Sequence, residues 1–323
     1  MAFIRLLDRD IAPEELGFTY SHEHIVCVPP HWAEHKEDDL LLDDPEKSAG
    51  DLALFKSLGG KTVVDATAVD YGRRVTSVYE ISKKTGVQIL GTAGFNKGFL
   101  WDAKRPDANE TFQQWIERST LNELTDFVIG EVEKGMDGTK LRGGQVKCGT
   151  GYNSISPLEE KTVRAVARAQ LQTKAPLHCH TEAGTMALEQ IAILREEGVE
   201  LPSVSFGHMD RNPDPWMYRK VAETGAYLCF DGIGKIKYYA ESVRTASILQ
   251  LVRDGFREQI LISGDLARKS YYASYNYGIG LGFILSKWIP RFIEEAHDAG
   301  FDGKSLVDDF FINNPKKCFS FKG

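Results

Sequence analysis

The strongest constraint on the fold is an alternation repeated eight times along the chain. A short run rich in β-branched and apolar residues ends in a polar or glycine-rich turn, and a helical pattern follows. The runs are YSHEHIVCV (20–28), KTVVDAT (61–67), VQILGTAG (87–94), GGQVKCG (143–149), APLHCHT (175–181), VSFGHMD (204–210), AYLCFDG (226–232) and QILISGD (259–265). Helices are predicted over 45–58, 156–173, 185–197, 215–225 and 240–255. Gly59 and Gly60 stop the first. The second opens with Ser156, Pro157 and Glu159, a capping-box start, and repeats Val163, Val166, Ala167 and Leu171 at helical spacing. Eight strands alternating with helices predict an α/β fold, a (β/α)8 TIM barrel, over an open doubly wound sheet. No strand leads into GxGxxG and no GxxxxGK[ST] occurs, so nucleotide-binding α/β folds lose their main support. Residues 287–321 are predicted to form one or two closing helices, giving a single barrel domain over 1–323.

With 42% hydrophobic residues in 323, the chain can fill one large core. Its net charge is -7 and its 39 basic residues are scattered, so nucleic acid and anionic membranes are poor partners. The N-terminus passes straight from a short apolar stretch into charge, unlike a signal peptide or anchor. Residues 278–290 are too short and too punctuated to span a bilayer. Five scattered cysteines without CxxC read as free, buried thiols, and a cytoplasmic location is expected.

Chemistry concentrates at one end of the predicted strands. His22 and His24 lie on the first, Lys147 on the fourth, His178 and His180 on the fifth, His208 on the sixth and Asp265 at the end of the eighth. Residues i and i+2 of a strand face the same way, so His22 and His24 can share one cation at the barrel mouth. Imidazoles with a carboxylate suit Zn2+ or a related divalent ion, Mn2+, Co2+ or Fe2+ included. Lys147 lies in an apolar strand, where an ammonium group is costly. It is relieved either by a salt bridge to Asp65, Glu131 or Asp265, or by carbamylation to a bridging carboxylate.

These motifs together resemble the phosphotriesterase-related branch of the amidohydrolase superfamily over nearly the whole length. GFTYSHEH, the lysine of GGQVKCGT, LHCHTEAG, FGHMD, ISGD and INNPKKCF occur in that family's order. The resemblance implies a binuclear metal-dependent hydrolase. His22, His24 and Asp265 are then ligands of the more buried ion and His180 and His208 of the more exposed one. Lys147 becomes an N6-carboxylysine bridging both, and His178 supports the ligands without binding. A water between the ions loses its proton near neutral pH, and Asp265 is the expected catalytic proton acceptor.

The substrate must be read from the mouth. LARKSYY follows Asp265 and FDGIGKIKYY ends the seventh strand, making Arg268, Lys269, Tyr271, Lys235, Lys237 and Tyr238 candidates for an anion site, with Arg211 and Lys97 beside them. The spacing of Asp265, Arg268 and Tyr271 is similar to the branch that hydrolyses phosphorylated sugar lactones. That implies a pentono-1,4-lactone 5-phosphate as substrate, its phosphate held by Arg268, Lys237 and Tyr271, with Arg211 and Lys235 nearby. The alternatives are a phosphotriesterase or acyl-homoserine lactonase with the same metals, favoured by Phe99, Trp101, Tyr271 and Tyr272 around a closed apolar cleft, and a metal- or carbohydrate-phosphate-binding module without turnover. Asp70 is expected to cap a helix and Arg73 to form a structural ion pair. Asp231 is given no role. The stretch 271–283 is either a homodimer contact or packing over the mouth.

Overall fold

Burial on both faces decides which runs become strands. In the computed structural model, which describes residues 2–106 and 108–322, all eight residues of GGQVKCGT are buried, as expected of a parallel strand covered by helices. The strands are β1 (Thr19–Glu23), β2 (Thr62–Asp65), β3 (Gln88–Gly94), β4 (Gly143–Thr150), β5 (Leu177–Thr181), β6 (Val204–Phe206), β7 (Tyr227–Phe230) and β8 (Ile260–Ile262). They form one parallel sheet in which each strand neighbours the next in sequence. The sheet is nearly closed. At the β8–β1 seam the Asp265 N–H donates to the His22 carbonyl at 3.0 Å, and the Ser263 hydroxyl donates to that same oxygen at 2.7 Å.

The predicted helices form within a few residues of their expected bounds: Pro45–Ser57, Pro157–Thr173, Ala187–Glu196, Pro215–Ala222 and Glu241–Arg253. Ser156 caps its helix as the sequence requires, accepting from Glu159 N at 3.2 Å while Glu159 accepts from Ser156 N at 2.9 Å. The closing segment forms three helices where one or two were expected, Ile289–Asp298, Gly303–Asp308 and Asn314–Cys318. Asn314 fastens the last of them to the barrel by donating to the carbonyls of Arg257 and Ile260, both at 2.8 Å.

Several strands end sooner than their apolar runs, because the backbone turns where the ligand-type side chains begin. β6 stops at Phe206 and β8 at Ile262. Beyond them His208 (φ 63°) and Asp265 (φ 45°) adopt left-handed conformations that cost about 1–2 kcal/mol apiece. Buried carboxylates offset this. Asp231 accepts the His208 N–H at 2.9 Å. Glu23 accepts from the N–H groups of Gly264 and Leu266, both at 2.7 Å, and lies 2.8 Å from Ser263 Oγ.

The two long insertions divide between core and mouth. Phe95 and Trp101 are buried, and the Trp101 indole donates to Asp70 at 2.7 Å. Asp70 also accepts the Asn96 N–H at 2.8 Å, so it fastens the loop after β3 and does not cap a helix. Arg73 forms the expected structural pair, with Glu131 and with Asp137, the latter at 2.6 Å. In the stretch 271–283, Tyr272 and Leu281 pack into the core while Tyr277 is exposed. Among the described residues, no helix is long and apolar enough to cross a membrane.

Candidate metal centre

The structure gathers His22, His24, Lys147, His180, His208 and Asp265 at the C-terminal mouth of the barrel, around a cavity of ≈ 180 Å³. Each is at most 6% exposed. Alternation puts His22 and His24 on the inner face of β1 and its extension, and turns Glu23 away into the seam. Parallel register does the same for β4 and β5, where Lys147 pairs with His178 and Gly149 with His180. Gly149 is required there, since a Cβ would come within 2.4 Å of the Asn96 carbonyl.

Each imidazole is oriented from behind. His24 Nδ1 lies 2.8 Å from Thr67 Oγ1, and that hydroxyl donates to Asp65 at 2.5 Å. The hydroxyl's only proton is thereby committed, so His24 must be the donor and its Nε2 keeps a lone pair for the cavity. His208 Nδ1 meets Asp231 at 2.7 Å and His180 Nε2 meets Glu182 at 3.0 Å. Both carboxylates take a proton from their ring, so the other two nitrogens, His208 Nε2 and His180 Nδ1, face each other as acceptors 3.0 Å apart. Two lone pairs at that distance repel unless a cation lies beside both. His22 Nδ1 sits 2.9 Å from Asp231, out of line for a hydrogen bond, and its buried Nε2 has no partner among the described residues.

The remaining spacing fits a cation as well. Asp265 Oδ1 lies 3.4 Å from His24 Nε2 and 3.7 Å from His22 Nε2. Ligands bound at about 2.1 Å around one tetrahedral ion stand roughly 3.4 Å apart. Burial holds His24 at about 3 and His208 at about 4, and pushes His180 and His178 well below the usual range. The rings are therefore neutral near pH 7, the protonation state that binds metal. Burial raises Asp265, but the field of Lys235, whose ammonium lies 2.7 Å away, outweighs it and holds the carboxyl well below its usual range. It is ionised.

Lys147 has no carboxylate within salt-bridge distance among the described residues, so none of the three salt bridges considered for it forms. Among the described residues its ammonium donates only to the Ala66 carbonyl, at 2.8 Å. Burial drives it down to about 8 against the opposing fields of Asp265, Asp70, Asp231 and Asp65. His178 lies beneath the donors, edge-on to His22 with ring centroids 4.7 Å apart and Nδ1 2.9 Å from Ser205 Oγ.

The five proposed phosphate-binding residues, Arg211, Lys235, Lys237, Arg268 and Tyr271, all line the same cavity. Arg211 and Lys235 are spent on Asp265, at 2.6 and 2.7 Å. Arg268 is held by Asp39 at 3.2 Å, a use for the acidic first insertion that its composition did not reveal. Lys237 stacks between Tyr238 and Tyr271, 4.8 and 5.5 Å from the ring centroids, and has no carboxylate partner among the described residues. Tyr271 Oη is buried without a hydrogen-bond partner among the described residues. Lys269 departs from expectation. It turns away to Asp43 at 3.1 Å and does not line the cavity. Lys97 lines it but is paired with Glu182.

Sequence reasoning missed Asp231, Glu182, Thr67 and Glu23. Two carried a signal. Glu182 continues the i, i+2 series of His178 and His180, and Asp231 ends the seventh strand as Asp265 ends the eighth.

The phosphotriesterase family profile matches residues 7–319. The lactonase Lmo2620 of Listeria monocytogenes superposes with a TM-score of 0.98 at 62% identity, covering 99% of this chain and 100% of that one. A phospho-furanose lactonase of Mycoplasmopsis synoviae is 32% identical over 99% of this chain and 92% of its own. The phosphotriesterase homology protein of Escherichia coli, solved with phosphate in its active site, gives a TM-score of 0.86 at 29% identity over 94% of this chain and 99% of that one. The chain belongs to the phosphotriesterase family and is a hydrolase built on a (β/α)8 barrel.

Proposed function

We propose that this chain is a lactonase that opens the ring of a pentono-1,4-lactone 5-phosphate, using two divalent cations, Zn2+ in the first instance, held in a single barrel domain. One observation carries the substrate: apart from Lys147, the cavity that adjoins the imidazoles has five cationic side chains (Lys97, Arg211, Lys235, Lys237, Arg268) against two carboxylates (Glu182, Asp265), in a chain of net charge -7. Among the described residues, Lys237 has no carboxylate partner and lies against Tyr271, whose hydroxyl has no partner either, a ready donor set for a phosphomonoester. The phospho-furanose lactonase relative, and the relative with phosphate in its active site, support the same class.

His22, His24 and Asp265 would hold one cation and His180 and His208 the other, with Lys147 joining both once carboxylated. Bound there, the cations supply Lewis acidity for the lactone carbonyl and lower the pKa of water. The chain's own groups do the rest. Asp265, ionised and within reach of the cavity, accepts the proton of the attacking water and returns it to the ring oxygen as the C–O bond breaks. Arg211 and Lys235 hold that carboxylate in place. Arg268, Lys237 and Tyr271 bind the phosphate and so fix the ring over the centre.

Against an acyl-homoserine lactone or phosphotriester substrate, Tyr271 alone of the four aromatics named for an apolar cleft lines the cavity. Phe99 is 60% exposed, while Trp101 and Tyr272 are buried in the core. The test is steady-state hydrolysis, followed by proton release, of phosphorylated pentonolactones, their neutral counterparts, acyl-homoserine lactones and an aryl phosphotriester. A preference of about a hundredfold in kcat/KM for the phosphorylated lactones, worth about 2.7 kcal/mol at the transition state, supports the reading. Equal rates with and without phosphate, or faster turnover of acyl-homoserine lactones, reject it.

A further inference from the structure

A second cluster of metal-ligating side chains lies outside the barrel centre, on the rim. His31 and His35 stand four residues apart on the turn formed by the short helix Pro30–Glu34 and its C-cap, where the His35 N–H donates to the His31 carbonyl at 3.0 Å. That spacing places both imidazoles on one side, with ring centroids 4.4 Å apart. Asp102 reaches them from the loop after β3. One of its oxygens is 2.6 Å from His31 Nδ1 and the other 3.5 Å from His35 Nε2. One ligand atom from each of the three lies within 4.8 Å of the others.

We propose that His31, His35 and Asp102 form a binding site for a divalent transition-metal ion that staples the loop after β1 to the loop after β3. Two imidazoles and a carboxylate are a borderline-soft donor set suited to Zn2+, with the remaining position left to water. The place matters for the cavity. Trp32 and Leu40 from the first loop, and Asn96 and Lys97 from the second, form part of its wall. Phe99 already packs on His31 with centroids 4.6 Å apart, and Glu34 accepts the Lys104 N–H at 3.1 Å, so the two loops are in contact before any ion arrives. An ion on the rim adds a link that both loops must break to part, coupling occupancy to traffic through the mouth.

The experiment is a Zn2+ titration of full-length protein whose barrel centre has already been filled, against a competing chelator at pH 7.5, for wild type, His35→Ala and Asp102→Asn. Both substituted side chains are more than half exposed, at 58% and 56%, so the variants are expected to melt with the wild type. The expected result is one further Zn2+ equivalent in wild type, bound about tenfold or more weakly by each variant. Imidazole 15N shifts of His31 and His35 should move at that step. Identical binding in all three proteins, or an added equivalent that leaves those shifts unmoved, overturns the site. Because the titration counts the difference between wild type and variant, failure here is separate from failure of the barrel-centre assignment. Turnover by His35→Ala at stoichiometric metal should equal wild type.

Discussion

The donor set and the cationic wall share one cavity but are built differently. His22, His24, Lys147, His180, His208 and Asp265 come from strands or the first residues beyond them, and each is at most 6% exposed. Arg268, Lys237 and Tyr271 sit on loops, and what steadies Arg268 is a loop carboxylate, Asp39. The first group is fixed by backbone register and a layer of buried acceptors, the second by contacts between loops. In a barrel this separates chemistry from specificity: the metal-binding end of the strands can stay constant while the loops change the ligand.

The largest expected effect lies in the first group. Asp265→Asn should lower kcat by about a thousandfold, since it removes a proton acceptor worth about 10²–10⁴, with metal content measured in parallel by atomic absorption. A variant that keeps near wild-type kcat would remove Asp265 from the proton path. Next comes the layer behind the donors. Asp231→Asn should weaken metal binding about 10–100-fold, because it loosens His208 and the contact with His22 together. Activity should return partly at high metal concentration, a recovery that damage to the fold would not give.

The wall predicts a different signature. Arg268→Ala and Lys237→Ala should each raise KM for a phosphorylated lactone about tenfold or more, the scale of a lost charge-assisted hydrogen bond, while leaving the neutral lactone nearly untouched. If both substrates suffer alike, the loops act on the donors and the contrast between the two regions collapses.

How much of this was readable beforehand follows the same division. Strand periodicity and the i, i+2 spacing of His22 and His24 gave the barrel and its donor end, because alternation has a fixed geometric meaning. The capping box at Ser156 was equally direct. Asp70 misled, since a carboxylate before a helical run looks like a cap while its actual partners, Asn96 and Trp101, lie on another loop. Lys269 and Arg268 are adjacent and chemically alike, yet one faces the cavity and the other Asp43, a choice made by loop packing that no local pattern records.

Lys147 joins the two regions through pH. Its amine is lowered to about 8 by burial. Carbon dioxide adds only to the neutral amine, giving a carbamate and a proton, so carboxylation should rise as pH climbs through that value. With a pKa near 8, about a tenth of the amine is neutral at pH 7 and about nine-tenths at pH 9. Metal-free protein reconstituted with Zn2+ at fixed dissolved carbon dioxide should therefore recover activity up to about tenfold faster at pH 9 than at pH 7, with a plateau above. The Lys147 contribution to the stability of the metal-free form, read as wild type minus Lys147→Met, should shift the same way, while the thiols of Cys27, Cys179, Cys229 and Cys318, pushed up by burial, pull total stability down with rising pH. At Lys147 the native state binds fewer protons than the unfolded chain between about 8 and 10.5, so this group's contribution rises across that window as the cost of a buried ammonium is removed. Lys147→Met should abolish the pH dependence of reconstitution. Reconstitution that is flat with pH, or that is unaffected by carbon dioxide, would show that the amine itself is what the cavity keeps.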